Sequence, residues 1–174
     1  MKYMVKNNKR FIKTLAFLNK YTPPPQHILD LGVSNQLSDF LRSNNYSVTN
    51  SQGEDLDLNY DIVQHSDFTL ITAFEIIEHL VSPFPLLRAI KAEKLIATVP
   101  LNLWFSKAYH HQDNIWDRHY HEFETWQFDW LLQKAGWDII QSEKWIIPSK
   151  KLGIRSILRR FTPRVYAVYC QRSR

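Results

Sequence analysis

The chain has 174 residues, 44% hydrophobic and 22% charged, which places it in the range of one ordinary globular domain and excludes fibrous and disordered classes. A chain of this length buries roughly 70% of the surface its unfolded form exposes, enough for a core without disulfides or structural metal. Lys and Arg number 22 against 17 Asp and Glu, a formal net charge of +5, and a lone cysteine, Cys170, excludes a disulfide framework, a CxxC redox pair and a cysteine-rich zinc site.

The first predicted element is an amphipathic helix over Lys9–Tyr21, with Phe11, Ile12, Leu15 and Leu18 on one side, stopped by Pro23, Pro24 and Pro25. Its basic residues are interleaved with apolar ones at helical spacing, unlike a signal peptide, and no window approaches the roughly 20 apolar residues of a membrane span. A cytoplasmic single domain over residues 1–174 is expected, with residues 1–25 as an N-terminal helix and proline-rich connection. His27-Ile28-Leu29-Asp30-Leu31 is a short apolar strand ending at Gly32, and residues 37–43 follow as a helix carrying Leu37, Phe40 and Leu41 on one side. Tyr46-Ser47-Val48-Thr49 is a second strand. The acidic interval to Phe68 holds Asp55, Asp57 and Asp61 and leaves little room for another strand plus crossover helix, which takes at least roughly a dozen residues.

Phe68 to Ala73 has the continuous apolar, β-branched character of a buried parallel strand. Residues 75–80 are predicted helical, and Ser82-Pro83 opens a further helix whose apolar periodicity reaches Ala92. Residues 94–99 form a strand ending at Pro100. After the irregular, His- and aromatic-rich residues 101–122, a helix over 125–135 is closed by Gly136. Residues 137–140 and 165–170 are the last strands, the latter near a sheet edge. Within the C-terminal segment 146–174, Lys150, Lys151, Arg155, Arg159, Arg160, Arg164, Arg172 and Arg174 are accompanied by no acid from residue 150 on; a solvated basic face is expected, available to nucleic acid, phosphate or an anionic membrane.

This alternation predicts an α/β fold: a Rossmann-like, doubly wound, mostly parallel sheet with helices on both faces and a late antiparallel strand. Ligands of such sheets bind at the carboxyl ends of the strands, so residues 30–35, 50–53, 73–75 and 99–101 should border one crevice.

In order, Ile28-Leu29-Asp30-Leu31-Gly32, Phe74-Glu75-Ile76-Ile77-Glu78-His79-Leu80, Ala97-Thr98-Val99-Pro100 and His121-Glu122-Phe123 resemble class I S-adenosylmethionine-dependent methyltransferases, and in particular their small ubiquinone-pathway-like branch. The resemblance implies S-adenosylmethionine as cofactor, bound around Asp30, Gly32, Ser34, Asn50, Asp55, Asp57, Phe74 and Glu75. The glycine motif is degenerate: Ser34 and Gln36 stand where the family carries its second and third glycines. Asn50, Ser51 and Gln52 stand where an acid usually accepts the ribose hydroxyls, leaving Glu54, Asp55 or Asp57 as substitutes. The implied activity is methyl transfer to a small acceptor at oxygen. The alternatives are a noncatalytic domain that keeps the fold and binds a partner, and an RNA methyltransferase using the basic segment.

At helical spacing, Glu75, Glu78 and His79 would fall on neighbouring faces. A similar Glu-x-x-Glu-His element binds a divalent metal in small-RNA 3′-terminal 2′-O-methyltransferases. That resemblance makes Glu75, Glu78, His79 and a downstream histidine candidate ligands for a divalent ion such as Mg²⁺; His119 or His121 would complete the set, with His110 and His111 as other candidates. The competing reading is helix-end packing with no metal. Without metal, His79 or His119 could act as general base toward an acceptor hydroxyl. Residues 101–122 are read as the substrate side or a lid, where Trp104 and Phe105 are expected to fill local core and Arg118 to pair with Asp117 or Glu122.

Overall fold

A computed structural model describes residues 8–65, 67–114, 116–147 and 154–173. Helix α1 (Lys9–Tyr21) leads into β1 (His27–Asp30), α2 (Gln36–Arg42) and β2 (Ser47–Asn50). These are followed by β3 (Leu70–Phe74), α3 (Pro83–Ala89), β4 (Lys94–Pro100), α4 (Thr125–Lys134), β5 (Trp137–Trp145), α5 (Ile154–Phe161) and β6 (Val165–Arg172). The strands form one six-stranded sheet in the order β2-β1-β3-β4-β6-β5; β1 to β4 are mutually parallel, and β6 runs antiparallel to both β4 and β5.

The two-residue period of the strands sorts the core into two layers. Ile28, Leu70, Ile96 and Tyr169 pack with Phe11, Phe17 and Leu18 of α1 and Leu37 and Leu41 of α2. Their sequence neighbours Leu29, Ile71, Leu95, Ala97 and Val168 pack on the other face with Leu86 and Leu87 of α3 and Phe128 and Leu132 of α4. Each fully buried side chain of this size contributes about 1.5–3 kcal/mol. Helix ends follow local chemistry: Asn8 and Asn35 accept backbone N–H groups at the starts of α1 and α2, and Gly136 closes α4 at φ 87°, where only glycine is unstrained. Between β2 and β3 the described residues form only a 3-10 turn, Asp61–Gln64, in keeping with the brief acidic interval, and β2 is an edge strand of the described sheet.

Three expectations are corrected. Residues 75–80 form no α-helix: a 3-10 turn covers Ile77–His79, and Glu75 lies before it in the left-handed region at φ 56°. The strand at 165–172 is interior and β5 is the edge; Val165 to Cys170 are all buried, the mark of a strand covered on both faces, whereas β5 is mostly open. The basic C-terminal segment contains a helix, α5, and is not simply a solvated face. Arg159, Arg164 and Arg172 are half-buried, Arg172 stacking on Trp137 at 4.4 Å, while Arg160 is exposed. Lys150, Lys151 and Arg174 lie outside the described residues. No helix among the described residues is long and apolar enough to cross a membrane.

Candidate active site

At the carboxyl end of β1 the chain turns through Gly32 at φ 102°, and a Cβ there would meet Ile76 Cδ1 at 3.1 Å. Asp30, buried beneath the turn, accepts hydrogen bonds from Thr72 Oγ1 (2.7 Å), Asn50 Nδ2 (3.1 Å) and Ser38 Oγ (3.2 Å). Burial pushes its carboxyl up to about 6, against the pull of those three donors. Asn50 also faces inward: Nδ2 donates to the Gly32 carbonyl at 3.1 Å, and Oδ1 accepts from Arg42 Nη2 at 2.6 Å. Asp30 and Asn50 therefore fix the turn from below, with their polar atoms engaged. Ser34 accepts from Arg42 Nη1, and Asp57 accepts from the Val81 and Ser82 amides at 2.8 Å each, holding the start of α3. Asp55 gives one oxygen to the Asp57 amide and lines open space beside Gly32.

That space is one of three lobes of a crevice divided by Ile76, which lines all three. A lobe of about 380 Å³ is bounded by Gly32, Ser51, Asp55, His79, Trp116 and Tyr120. A second, about 290 Å³, lies between Arg10, Asn35, Leu37, Phe74 and Thr98. The largest, about 670 Å³, runs over Phe74, Glu75, Glu78, His79 and His119 toward residues 101–122 and the end of α5. The predicted crevice at the carboxyl ends of β1, β3 and β4 is thus present, and volumes of this order suit small-molecule sites.

Glu78, His79 and His119 place one ligand atom each within 4.8 Å of one another. Glu78 is 0% exposed and neither carboxylate oxygen has a hydrogen-bond partner. Burial first, and then the charge of Glu75, raise its carboxyl well above the ordinary range. A buried carboxylate without a partner costs several kcal/mol unless it is protonated or meets a cation. His79 Nδ1 lies 3.0 Å from the Arg118 carbonyl, an arrangement in which Nδ1 donates and Nε2 is left with a free lone pair. His119 packs edge-on against His79; burial and then the neighbouring His79 lower it, which keeps it neutral at pH 7, the form that ligates a metal or takes a proton. The donor set fits a divalent cation. Among the downstream histidines only His119 joins this cluster: His121 Nε2 lies 3.3 Å from the Val81 carbonyl, and His111 accepts two loop amides. Glu75 sits outside it, its left-handed backbone turning the carboxylate to an ion pair with Arg10.

Residues 101–122 clamp this cluster, since Tyr120 N donates to the Glu78 carbonyl at 2.8 Å. Trp104 is 85% exposed rather than in local core, because the chain there runs over the outside of the crevice. Arg118 pairs with neither Asp117 nor Glu122; its guanidinium donates to the His111 and Gln112 carbonyls, which the loop's tight return leaves unpaired. Arg10, Arg159 and Arg164 also line the largest lobe. Sequence reasoning missed all three in this role: Arg10 lies on the polar side of α1, and the other two sit in a run of positive charge with no motif around them.

No protein-family model matches the sequence, and no curated protein matches it in sequence. Solved structures match the fold. One is the 1,6-didemethyltoxoflavin-N1-methyltransferase of Burkholderia thailandensis with bound 1,6-didemethyltoxoflavin and S-adenosylhomocysteine, at TM-score 0.66 and 12% identity, covering 97% of this chain and 80% of that one. Another is an S-adenosylmethionine-dependent methyltransferase from Mesorhizobium loti, at TM-score 0.58 and 11% identity, covering 97% and 100%. The [4+2]-cyclase SpnF matches at TM-score 0.59 and 12% identity, covering 92% and 81%. The chain has the Rossmann-like fold of these methyltransferases, and the cyclase has it too; one fold hosts more than one chemistry, which resides in the site.

Proposed function

We propose that the protein is an S-adenosylmethionine-dependent methyltransferase acting on oxygen of a small acceptor, with a divalent cation at Glu78, His79 and His119. The observation that carries this reading is Glu78, a fully buried carboxylate with no partner, beside two imidazoles in the crevice. The ligand-bound neighbour and the crevice at the strand ends support the cofactor.

The lobe beside Gly32 takes the adenosine: Asp55 offers its free oxygen to a ribose hydroxyl in place of the inward-facing Asn50, and Trp116 and Tyr120 offer flat faces. Arg10, which lines both neighbouring lobes beside Phe74 and Glu75, offers a guanidinium to the methionine carboxylate. Two imidazoles with one carboxylate suit Mn²⁺, Fe²⁺, Co²⁺ or Zn²⁺ better than Mg²⁺. Glu75, whose charge acts on Glu78 and His119, stays outside this set, paired with Arg10. When bound, such a cation polarises an acceptor hydroxyl. The chain's own contribution is alignment: the Gly32 turn and Ile76 fix the methyl donor, and the loop at 101–122 holds the acceptor in line with it, where proximity supplies most of the rate.

Calorimetric titration with S-adenosylhomocysteine tests the cofactor reading. Micromolar binding that weakens in Asp55→Ala supports it. No binding at millimolar cofactor favours a noncatalytic binding module, the second reading, for which Ser34, Gln36 and the engaged Asn50 speak.

A further inference from the structure

The lining of the largest lobe includes two groups of different character. One is Glu78, His79 and His119; the other is Arg159 of α5 and Arg164 at the entry to β6, and Ser106 and Lys107 line the same lobe. Every other carboxylate on the lobe is engaged. Glu75 pairs with Arg10, Glu122 accepts the Tyr109 amide at 2.9 Å and lies 3.6 Å from His119 Nδ1, and Asp117 accepts from Tyr109 Oη at 3.0 Å. Among the described residues neither Arg159 nor Arg164 has a carboxylate partner. Arg159 donates through Nη2 to Ser106 Oγ at 3.3 Å, while its Nε is buried and unpartnered. Arg164 is anchored through its backbone, its N–H donating to the Trp145 carbonyl and its carbonyl accepting from Leu101 N, both at 2.9 Å. Among the described residues its guanidinium reaches only the Ile147 carbonyl, at 3.4 Å.

The mounting of α5 points the same way. An amphipathic helix on a protein surface ordinarily turns its apolar side inward. Among the described side chains of α5, Ile157 and Phe161 are exposed, Phe161 by 77%, and Arg159 lines the crevice. The fold forgoes burial of two large apolar side chains and brings a second guanidinium beside Arg164, although like charges at close range repel. Two half-buried guanidiniums with no carboxylate in contact, the charge of Glu75 acting on Arg164 only from a distance, are completed by an oxyanion, which the planar forks of arginine hold through charge-assisted hydrogen bonds.

We propose that Arg159 and Arg164 form an anion subsite that holds a carboxylate or phosphate group of the methyl acceptor, turning its nucleophile toward Glu78, His79 and His119. The proposal rests on the methyltransferase reading above and names its substrate class: a small acceptor bearing an acidic head.

The test titrates the full-length protein at low chloride with phenyl phosphate, with benzoate and with neutral benzyl alcohol, and separately with S-adenosylhomocysteine. The expected result is sub-millimolar binding of one or both anions, at least tenfold tighter than benzyl alcohol. That binding should weaken at least tenfold in Arg159→Met and Arg164→Met and be largely restored in Arg159→Lys, while S-adenosylhomocysteine binds all variants as it binds the wild type. The phosphate and carboxylate arms identify the head group. Anions that bind no better than benzyl alcohol, or anion binding indifferent to both arginine substitutions, would each overturn the subsite. Failure of S-adenosylhomocysteine to bind the wild type would instead overturn the methyltransferase reading, so the two failures are distinguishable.

Discussion

Replacing Glu78 with Gln separates the two ways in which its burial can be reconciled with its chemistry. The substitution keeps the side chain's shape and removes the charge that no neighbouring donor compensates. Without metal, Glu78→Gln should be as stable as the wild type or slightly more so. With metal the order reverses. A ligand that binds only the folded state at 100 times its Kd stabilises by about 2.7 kcal/mol, and in a domain of this size each kcal/mol moves Tm by about 2–4 °C, so saturating Mn²⁺ or Co²⁺ should raise the wild-type Tm by roughly 5–11 °C. Loss of one of three ligands should remove most of that rise, to less than about 2 °C at the same metal concentration. The assay is differential scanning fluorimetry of chelator-treated protein at neutral pH, titrated in turn with Mn²⁺, Co²⁺, Zn²⁺ and Mg²⁺. Two results refute the reasoning: a full metal-dependent rise in Glu78→Gln, or no rise with any of the four in the wild type, which would leave Glu78 a protonated structural acid.

Other consequences are open to direct measurement. Asp30 has a folded pKa of about 6 against an unfolded value near 3.8, so the folded state holds its proton more tightly. This one group lowers stability as pH rises from about 4 to 6, by roughly 3 kcal/mol in all, and urea denaturation across that window should show the slope flattened in Asp30→Asn. Gly32→Ala combines a φ of 102° with a contact at 3.1 Å to Ile76 Cδ1; it should lose about 1–3 kcal/mol, and Ile76→Val, which deletes that methyl, should recover only the steric part in the double variant. Burial pushes the Cys170 thiol far up, so a disulfide exchange reagent should leave it unmodified in native protein at pH 8 and label it fully in urea.

What was legible in the sequence was what local chemistry decides. The first helix was read to its observed bounds because three prolines stop it, and the parallel strands because Phe68 to Ala73 and residues 94–99 are apolar without alternation, as strands covered on both faces must be. The brief interval after β2 correctly left no room for a further strand. Errors came where tertiary contacts override spacing. Helical spacing would set Glu75, Glu78 and His79 on neighbouring faces. Instead, the left-handed backbone at Glu75 and the short 3-10 turn bring Glu78 and His79 to His119, a residue 40 positions further along the chain from His79, and send Glu75 to Arg10. Asp30 and Asn50 carry the residue types that a cofactor needs, but the same atoms satisfy Thr72, Ser38 and Gly32, a competition that no motif discloses. Arg159 and Arg164 looked like part of a surface charge run because composition records a charge without recording which way its helix faces.

Among the described residues no strand pairs with the outer side of β2, and an open strand edge is a template on which a second molecule can extend the sheet. Arg42 lies across it: Nε and Nη2 both donate to the Val48 carbonyl at 3.1 Å, and the same guanidinium reaches Asn50 and Ser34. The rim is four residues long, and with the Val48 carbonyl already taken by a guanidinium that Asp39 also holds, two such edges meeting would find a shared acceptor occupied and a bulky side chain in the way. The side chain that braces the Gly32 turn from outside thereby also discourages aggregation through strand pairing.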